Sequence, residues 1–473
     1  MLRRLFKRVF SSPFRPLYDE ARLLPKLRRS ILFVIFGNVF GNLFSVITGV
    51  GGTALTGYAE ALGAGDFVFG VLNGIPLAAA LMQIPASMLV SRGHRRKRYM
   101  LTYGVFSRAL WIVVGLVPFF TPVQPAWLRL WGVIFLVGIS SVTGAFINVC
   151  FTPWLADLVP LRIRGRWISL RDGIIAAANV LVGLVTAFLL DNIPGFLGYA
   201  VVFVLGGVLG VLDMFCFLFV EEVYTQPPMP IKLFKSSRQI FQDKPFFRFM
   251  LFWTAWSFTA NLSSPFLGRY ALSMGLSYMQ LTLCGQIASA LTTVSVVWLW
   301  GRLLDQYGSK PVLWVSCLLA ALTPAFYLFS TPNNIWPTLL YNVIGAFFWS
   351  AANLTSTSMQ LSTTPDDQRP VYIAMFSCFT SMLGSFLGVL SGGALLEWAH
   401  VLVDSGRLAF LGPMADAYKL VFLLSVVTRV GIVLLFVPRM ENPLGYSVAD
   451  MLRGVRQSIG LRLQLTRPRR RRR

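Results

Sequence analysis

Gly301-Arg-Leu-Leu-Asp305-Gln-Tyr-Gly308-Ser-Lys310-Pro311 is a short polar stretch between two long apolar segments, at roughly 277–300 and 311–330. A helix needs about 20 residues to cross a bilayer, and each flanking segment is long enough. Because Gly301 and Gly308 lack a Cβ, the backbone can turn tightly between them. The stretch therefore predicts two membrane-spanning helices that turn back against each other.

The carboxylate of Asp305 falls at the end of the first of these two helices. A charge at this position needs a basic partner or the N-terminus of a helix. Arg302 and Lys310 are close in sequence and are the candidate partners.

The composition of the whole chain agrees with a membrane protein. Of its 473 residues, 55% are hydrophobic and 13% are charged, and the mean hydropathy is +0.65. A soluble protein carries about 25% charged residues. Long apolar runs between short polar loops favour helices, whereas a barrel would show alternating strands of about 10 residues. The composition predicts an all-α polytopic membrane protein.

The net charge of +23 follows the loops. Alternate loops and both termini hold 36 of the 42 lysines and arginines, and such an excess marks the cytoplasmic side. We therefore attribute the charge to topology and expect no nucleic-acid partner. Residues 92–98, 157–171, 221–247 and both termini are predicted to be cytoplasmic, and 121–126, 191–196, 331–334 and 399–416 to face outwards.

Cysteine and histidine give no sign of a redox, metal or catalytic site. The five cysteines all lie in apolar segments, so we interpret them as core residues without disulfides. There are two histidines and no zinc or phosphate-loop motif. We expect no cofactor, no metal and no enzymatic activity.

The apolar segments divide the chain into five regions. A basic N-terminal segment (1–30) precedes six segments (31–220), a linker (221–247), six more segments (248–440) and a basic tail (441–473). Both basic ends are expected to contact anionic lipid at the cytoplasmic face. The predicted spans are 31–61, 67–91, 99–120, 127–156, 168–190, 197–220, 248–273, 277–300, 311–330, 335–361, 371–398 and 417–438.

The two sets of six segments repeat each other. Asn148 precedes a proline by twelve positions, as Asn353 does in the second half, and Arg164 and Arg369 each follow that proline by four positions. Gly93 in the first half matches the glycine at 308. Many transporters consist of repeated halves with the substrate site between them. The repeat predicts two pseudo-symmetric six-helix bundles.

The loop pattern G-x-L-x-D-x-x-G-x-K at 301–310 resembles the signature loop of the major facilitator superfamily. The stretch Asp157-Leu-Val-Pro-Leu-Arg-Ile-Arg-Gly-Arg166 is similar to that family's inner loop between its fourth and fifth helices, and the resemblance covers nearly the whole chain. It implies twelve spanning helices and a gating role for loop residues. These are Gly93, Asp157, Arg164, Arg166, Gly301, Arg302, Asp305, Gly308 and Lys310.

Two features depart from the family pattern. In the first-half loop, Val90 stands where the family has an aspartate, so gating is expected to depend on Asp305 and Asp157. The predicted fifth segment, 168–190, contains no proline and lacks the Gly-Pro motif of drug/proton antiporters. This second departure argues against a drug antiporter.

Three charges fall about 10–14 Å from the nearer end of a predicted span at 1.5 Å per residue, and an ionisable residue at such depth is a functional candidate by default. They are Arg108, Asp213 and Arg429. The resemblance places their helices, the third, sixth and twelfth, away from the central cavity. We therefore favour internal pairing over contact with a solute. Arg269, near the outer end of its span, is expected to reach the membrane interface.

The resemblance implies that the first, fourth, seventh and tenth helices line a central cavity. Asparagine there could donate and accept hydrogen bonds, and tryptophan could stack on a solute; the alternative is hydrogen bonding between helices. No acidic residue lies near mid-membrane on these helices, so uniport and coupling to another ion both stay open. The candidates are Asn38, Asn42, Asn148, Trp253, Trp256, Asn261, Asn342, Trp349 and Asn353.

The sequence thus predicts a monomeric secondary transporter in the plasma membrane, the inner membrane of a bacterium. It would move a small solute by alternating access. Two alternatives stay open: a transporter of lipid, amphiphilic or drug-like molecules, and a membrane receptor or scaffold that transports nothing. The solute is not readable from these residues.

Overall fold

A computed structural model describes residues 25–49, 51–86, 96–122, 125–159, 161–222, 240–365, 369–407, 412, 415–441, 445–454 and 456–457. These residues are largely helical, and no strand occurs among them. Ten helices in this part of the chain are long and apolar enough to cross a membrane. The all-α polytopic prediction is confirmed.

Each of the twelve predicted spans corresponds to a helical segment, which we number α1 to α12 in chain order. Six of them, α1, α2, α7, α8, α9 and α11, consist of more than one piece. The first six are α1 (Pro25–Thr48 and Thr53–Ala61), α2 (Asp66–Ala78 and Ala79–Met82), α3 (Arg96–Phe120), α4 (Ala126–Leu158), α5 (Leu161–Asn192) and α6 (Phe196–Leu218). The others are α7 (Lys244–Asn261 and Ser264–Ser273), α8 (Tyr278–Thr282, Leu283–Ala288 and Ser289–Tyr307), α9 (Ser309–Leu322, extended by Thr323–Phe329), α10 (Trp336–Thr363), α11 (Arg369–Phe379, Thr380–Phe386 and Leu387–Asp404) and α12 (Ala417–Phe436).

Two predicted spans are not among the ten apolar helices. α7 is divided at residues 262–263, just before Pro265, which cannot donate a backbone hydrogen bond. Each of its pieces is therefore shorter or more polar than a complete span. α10 is continuous, but its serine, threonine and asparagine side chains lower its hydropathy.

The predicted first span, 31–61, is also divided in the structure. Gly51 adopts a φ of 69°, which favours glycine, and the chain re-enters helix at Thr53. The buried amide of Asn73, on α2, accepts a hydrogen bond from the Gly51 N–H at 2.8 Å. This bond satisfies a backbone donor that the broken helix leaves unpaired.

The fourth and fifth helices extend further than predicted. α4 continues to Leu158 and α5 begins at Leu161, so the stretch at 157–167 that was predicted to separate the two spans is mostly helical, and its cytoplasmic placement stays a prediction. The helical pattern was obscured because arginines alternate with apolar residues over this stretch. Arg171 therefore belongs to a helix wall and not to a solvated loop.

We call the end at which α6 stops and α7 starts the linker end, and the opposite end the far end. At the linker end each bundle has its own apolar core. One lies around Trp154, Trp167 and Phe217, and another around Phe249 and Trp256.

At the far end, one continuous core includes residues of both bundles. Leu55, Phe69 and Phe203 of the first bundle share it with Phe266 and Phe422 of the second. The bundles are therefore joined at the far end, and their cores are separate at the linker end.

The C-terminal tail packs partly on the protein. Met451 is 2% exposed and contacts a cluster that includes Trp300, Val312 and Ala351, whereas Leu452 is exposed. The helical spacing of Leu444, Val448, Leu452, Val455 and Ile459 predicts that the tail is an interfacial helix with these residues on its apolar face. Of the other predicted anchors, Val448 is half-buried, and those at 444, 455 and 459 lie outside the described residues.

Candidate functional site

A pocket of about 370 Å³ lies between α1, α4 and α5, in the linker-end half of the first bundle. The distance of the pocket from the linker end can be measured along α6, which α1 contacts beside the pocket. Gly41 packs against the Asp213 carboxylate, and Asp213 precedes Val220 by seven residues, or about 10 Å of helix. The pocket is lined by Asn38, Asn42, Phe151, Arg171, Asp172, Ile175, Ala176 and Asn179.

The α5 wall of this pocket is one face of a helix. Arg171, Ile175 and Asn179 recur every four residues, and Asp172 and Ala176 lie beside them. Side chains at this spacing lie above one another on a helix. The face lies within the span predicted at 168–190, and α5 extends it towards the linker end by beginning at Leu161.

The two charges in the pocket wall differ in exposure. Arg171 donates from Nε and Nη2 to Oδ1 of Asp172, at 2.9 and 2.8 Å. Its guanidinium lies 5.2 Å from the ring centre of Trp167. The Arg171 side chain is 18% exposed, whereas that of Asp172 is 55% exposed. The carboxylate is therefore the charge that faces open space.

Amide oxygens add acceptors to the same pocket. Asn38 and Asn42 donate from Nδ2 to the backbone oxygens of residues 34 and 38, at 2.9 and 2.8 Å, and Oδ1 of each receives no hydrogen bond from a described residue. Oδ1 of Asn179 is buried and has no hydrogen-bond partner among the described residues. A buried acceptor without a partner is costly, so a donor from a solute would be favourable here.

Asn148 and Asn353, which occupy matching positions in the two halves, are both exposed in the structure. Leu130 and Val137 lie 18 and 11 residues before Asn148, so they share its side of α4, yet both are buried. This side of α4 is thus covered at the far end and open at the linker end. On α10, Asn353 is exposed, and Asn342, which shares its side, is half-buried.

The other asparagines and the tryptophans of the second bundle mostly pack within it. Asn261 and Asn342 donate to backbone oxygens four residues earlier, at 2.8 and 2.9 Å. Trp256 is 0% exposed, and its ring centre lies 5.5 Å from that of the half-buried Trp349. Trp253 is also buried. In this conformation, neither Trp253 nor Trp256 is open to a solute.

The chain turns at Gly308, which has a φ of 83°, but the predicted turn from Gly301 is wrong, because α8 continues through residues 301–307 to Tyr307. Asp305 is exposed and makes no hydrogen bond or ion pair with a described residue. Its candidate partners are engaged elsewhere: the Arg302 guanidinium lies 3.6 Å from the ring centre of Trp298, and Lys310 Nζ donates to backbone oxygens at the end of α12. The predicted pairing of Asp305 with them is absent from this conformation.

The remaining predicted gating residues lie in the first bundle. Gly93 lies outside the described residues, as do the side chains of Asp157 and Arg164. Arg166 is described and exposed, near the start of α5. The gating roles of these residues stay predictions.

The charges inside the spans have partners within the protein. Nη2 of Arg108 lies 3.4 Å from Oδ2 of Asp213, and its guanidinium lies 4.1 Å from the ring centre of Phe44. Arg429 is buried and donates from Nη2 to the Ala260 backbone oxygen at 2.8 Å and to the Ser263 hydroxyl at 2.9 Å. These contacts support the internal pairing favoured from the sequence.

A cluster of charges joins the bundles at the far end. Asp66 at the start of α2 contacts Arg269 of α7 at 3.1 Å and His400 of α11 at 3.3 Å. Arg269 also donates to the Ala64 backbone oxygen at 2.8 Å. The prediction that Arg269 reaches the membrane interface is wrong, because its side chain is 13% exposed and bound to the other bundle. We call Asp66, Arg269 and His400 the far-end cluster.

A second polar contact closes the same end between α5 and α8. The Asp191 carboxylate accepts hydrogen bonds from the backbone N–H groups of Tyr278 and Met279, each at 2.9 Å. The hydroxyls of Tyr199 and Tyr278 are 2.7 Å apart. These bonds place a carboxylate of one bundle on the N-terminus of a helix in the other, where negative charge is favourable.

Comparison with known proteins agrees with this architecture. A sequence model of the family described as the Major Facilitator Superfamily matches residues 31–389 and 290–446. The chain belongs to the major facilitator superfamily. This result confirms the resemblance of the 301–310 loop, and it means that the chain is a multi-pass membrane transporter.

Solved transporters of this superfamily share the fold. An auto-inhibited peptide transporter of the POT family matches with a TM-score of 0.67 and 12% identity, over 89% of this chain and all of that one. A mutant of the nucleoside transporter NupG gives 0.64 and 13%, over 87% and 100%. The inward-open xylose transporter XylE from E. coli gives 0.60 and 15%, over 90% and 99%. At these identities the likeness concerns the fold alone.

A curated relative is closer in sequence but over a shorter stretch. It is the "Multi-drug resistance efflux pump PmrA homolog" of Lactococcus lactis subsp. lactis (strain IL1403), 30% identical over 165 residues. The alignment covers 33% of the chain described here and 40% of the length of the relative.

The sequence interpretation missed Arg171, Asp172 and Asn179, as well as Asp66. The α5 residues were missed because Arg171 was counted among loop cations. A helical signal was present, since the apolar residues Ile163, Trp167, Leu170 and Ile174 recur at three- and four-residue spacing. For Asp66 there was no local signal, because its partners lie 203 and 334 residues further along the chain.

Proposed function

We propose that this transporter moves a small organic solute across the membrane by alternating access. The observation that carries the proposal is the core shared by both bundles at the far end and divided between them at the linker end. A transporter of this type alternates between closure at one end and closure at the other. The pocket at Asp172 lies in the divided half, where a solute could enter or leave.

We infer the orientation from the charge distribution. α1 and α7 begin and α6 and α12 end at the linker end, and the sequence that adjoins these helix ends is basic, which the positive-inside rule assigns to the cytoplasm. The described conformation is then closed outwards and open inwards. In this proposal the membrane is the bacterial inner membrane, the monomer is the working unit, and anionic lipid contacts the cytoplasmic face.

A second candidate function is the export of amphiphilic or drug-like molecules. The partial relative named as a multidrug efflux pump homolog favours it. The absence of proline from the predicted span 168–190 argues against a drug/proton antiporter of the usual pattern. The pocket nevertheless contains Asp172, an acidic group that the sequence interpretation did not find in the cavity. Uniport and ion coupling both remain compatible with this site.

The test has two steps on the full chain. A thermal-shift screen against solute and drug libraries identifies ligands, and counterflow into proteoliposomes then measures exchange of each labelled ligand. We expect saturable counterflow that is faster when unlabelled ligand is present inside. Ligand binding without any counterflow would contradict the transport proposal and favour a receptor. Empty liposomes, and liposomes with protein inactivated by heat, serve as controls.

A further inference from the structure

The pocket at Asp172 presents more acceptors than donors. Its charged acceptor is the Asp172 carboxylate, whose Oδ1 binds Arg171. Oδ1 of Asn38, Asn42 and Asn179 receives no hydrogen bond from a described residue. Each amide oxygen has two lone pairs that a ligand can use.

The cation in the pocket wall is poorly placed to hold an anion. Arg171 is the one cation among the described lining residues, and two of its donors bind Asp172. One face of its guanidinium is covered by the Trp167 ring at 5.2 Å. Because Asp172 is the more exposed partner, the open space meets the negative end of the pair.

An apolar surface completes the pocket. Phe151 from α4, with Ile175 and Ala176 from α5, lines it beside the acceptors. Pockets that bind organic molecules combine apolar walls with a few polar groups that set orientation, in volumes of about 300–1,000 Å³. A volume of about 370 Å³ therefore suits a compact solute.

We propose that this pocket binds a compact organic cation that carries N–H donors. The charged nitrogen faces Asp172, its N–H groups donate to the amide oxygens of Asn38, Asn42 and Asn179, and its apolar body contacts Phe151 and Ile175. This assignment rests on the proposed transport function, and it names the class of solute for that site.

Proflavine is a suitable probe, since it is a small fluorescent aromatic cation with two amino groups. Binding to the full chain in nanodiscs is compared for wild type and two variants. Asp172→Asn should weaken binding at least tenfold, because it removes the carboxylate and leaves Arg171 unpaired. Arg171→Gln should tighten binding several-fold, because it removes the competing cation. Opposite effects at neighbouring residues keep the test informative if one variant fails to fold.

The control variant is Asp404→Asn, which removes the same charge from an exposed position at the far end and should leave proflavine affinity unchanged. Acridine, the corresponding ring without amino groups, should bind more weakly than proflavine while uncharged. Equal proflavine affinity in wild type and Asp172→Asn would overturn the assignment. So would tighter binding of 2-naphthalenesulfonate or D-xylose than of proflavine.

Counterflow separates this inference from the transport proposal. If an anion or a sugar exchanges across proteoliposomes while proflavine does not bind, the cation assignment is wrong and transport stands. If proflavine binds in an Asp172-dependent way and no tested solute exchanges, the assignment stands and the transport proposal is wrong.

Discussion

At the scale of single residues, Arg108 and Asp213 depend on each other. Both side chains are largely buried, 3.4 Å apart between α3 and α6. Removing one partner of a buried pair leaves an uncompensated charge and costs about 3–5 kcal/mol. We expect Arg108→Met to lower the melting temperature clearly, and Arg108→Met combined with Asp213→Asn to recover part of the loss. Differential scanning fluorimetry of the purified variants measures this.

The Arg108→Met variant also tests whether Arg108 contacts the solute. If its role is structural, the surviving Arg108→Met protein should bind ligand with an affinity close to that of wild type. A variant that keeps its melting temperature but loses binding would place the substrate site on α3. Arg439→Ala, which removes an exposed arginine on the end of α12, is the matched control for loss of positive charge.

At the scale of one element, the break in α7 depends on α12. The first piece of α7 ends at Asn261, so its last carbonyls lack helical partners. Arg429 donates to the Ala260 oxygen at 2.8 Å and approaches the Thr259 oxygen at 3.4 Å, and the hydroxyl of Ser425 donates to the Thr259 oxygen at 2.8 Å. Two side chains of α12 therefore donate to the backbone oxygens that the division of α7 leaves without helical partners.

We expect Arg429→Met to destabilise the second bundle, because a buried polar group without a partner costs about 1–3 kcal/mol. Hydrogen–deuterium exchange should rise around the α7 break, with little change in the first bundle. Ser425→Ala removes one of these donors and should give a smaller effect in the same place. Uniform faster exchange over both bundles would contradict the local role that we assign to Arg429.

At the scale of the whole molecule, two carboxylates should bias the transport cycle in opposite directions. Asp66 pairs across the bundles in the described conformation, whereas Asp305 pairs with no described residue there. Asp66→Asn should therefore destabilise this conformation and favour opening of the far end. Asp305→Asn should leave this conformation unaffected and destabilise the opposite one. A change of 1.4 kcal/mol alters the ratio of the two states tenfold.

Cysteine reporters measure this bias. In a cysteine-free variant, Leu62→Cys lies in the shared far-end core and Ala176→Cys lines the pocket. Asp66→Asn should raise labelling at 62 and lower it at 176, and Asp305→Asn should do the reverse. Labelling that is unchanged in Asp305→Asn, together with lost ligand binding, would make Asp305 a site residue and refute its gating role.

The orientation of the molecule has its own test. The charge distribution predicts that Ser91 lies on the cytoplasmic side and Asp404 on the outside. Single cysteines at these two positions should react with an impermeant maleimide from opposite sides of the membrane. Reaction of both from the same side would reverse or invalidate the topology.

The sequence by itself determined the family and the twelve spans, because both depend on local features. An apolar run of about 20 residues signals a span wherever its neighbours lie. A turn such as that at Gly308 needs only its own residues. Even the errors were local in origin: arginines at the start of α5 concealed seven residues of helix, and Gly51 divided a continuous apolar run.

Only the tertiary structure decided which side chains meet. Asp66 finds Arg269 and His400 because the bundles pack together at the far end, and no local pattern encodes a pairing over hundreds of residues. Burial has the same origin: Trp256 is enclosed while Asn148 and Asn353 are exposed, although the sequence made all three candidates for the cavity lining. Exposure depends on the arrangement of neighbouring helices, and that arrangement changes as the bundles move.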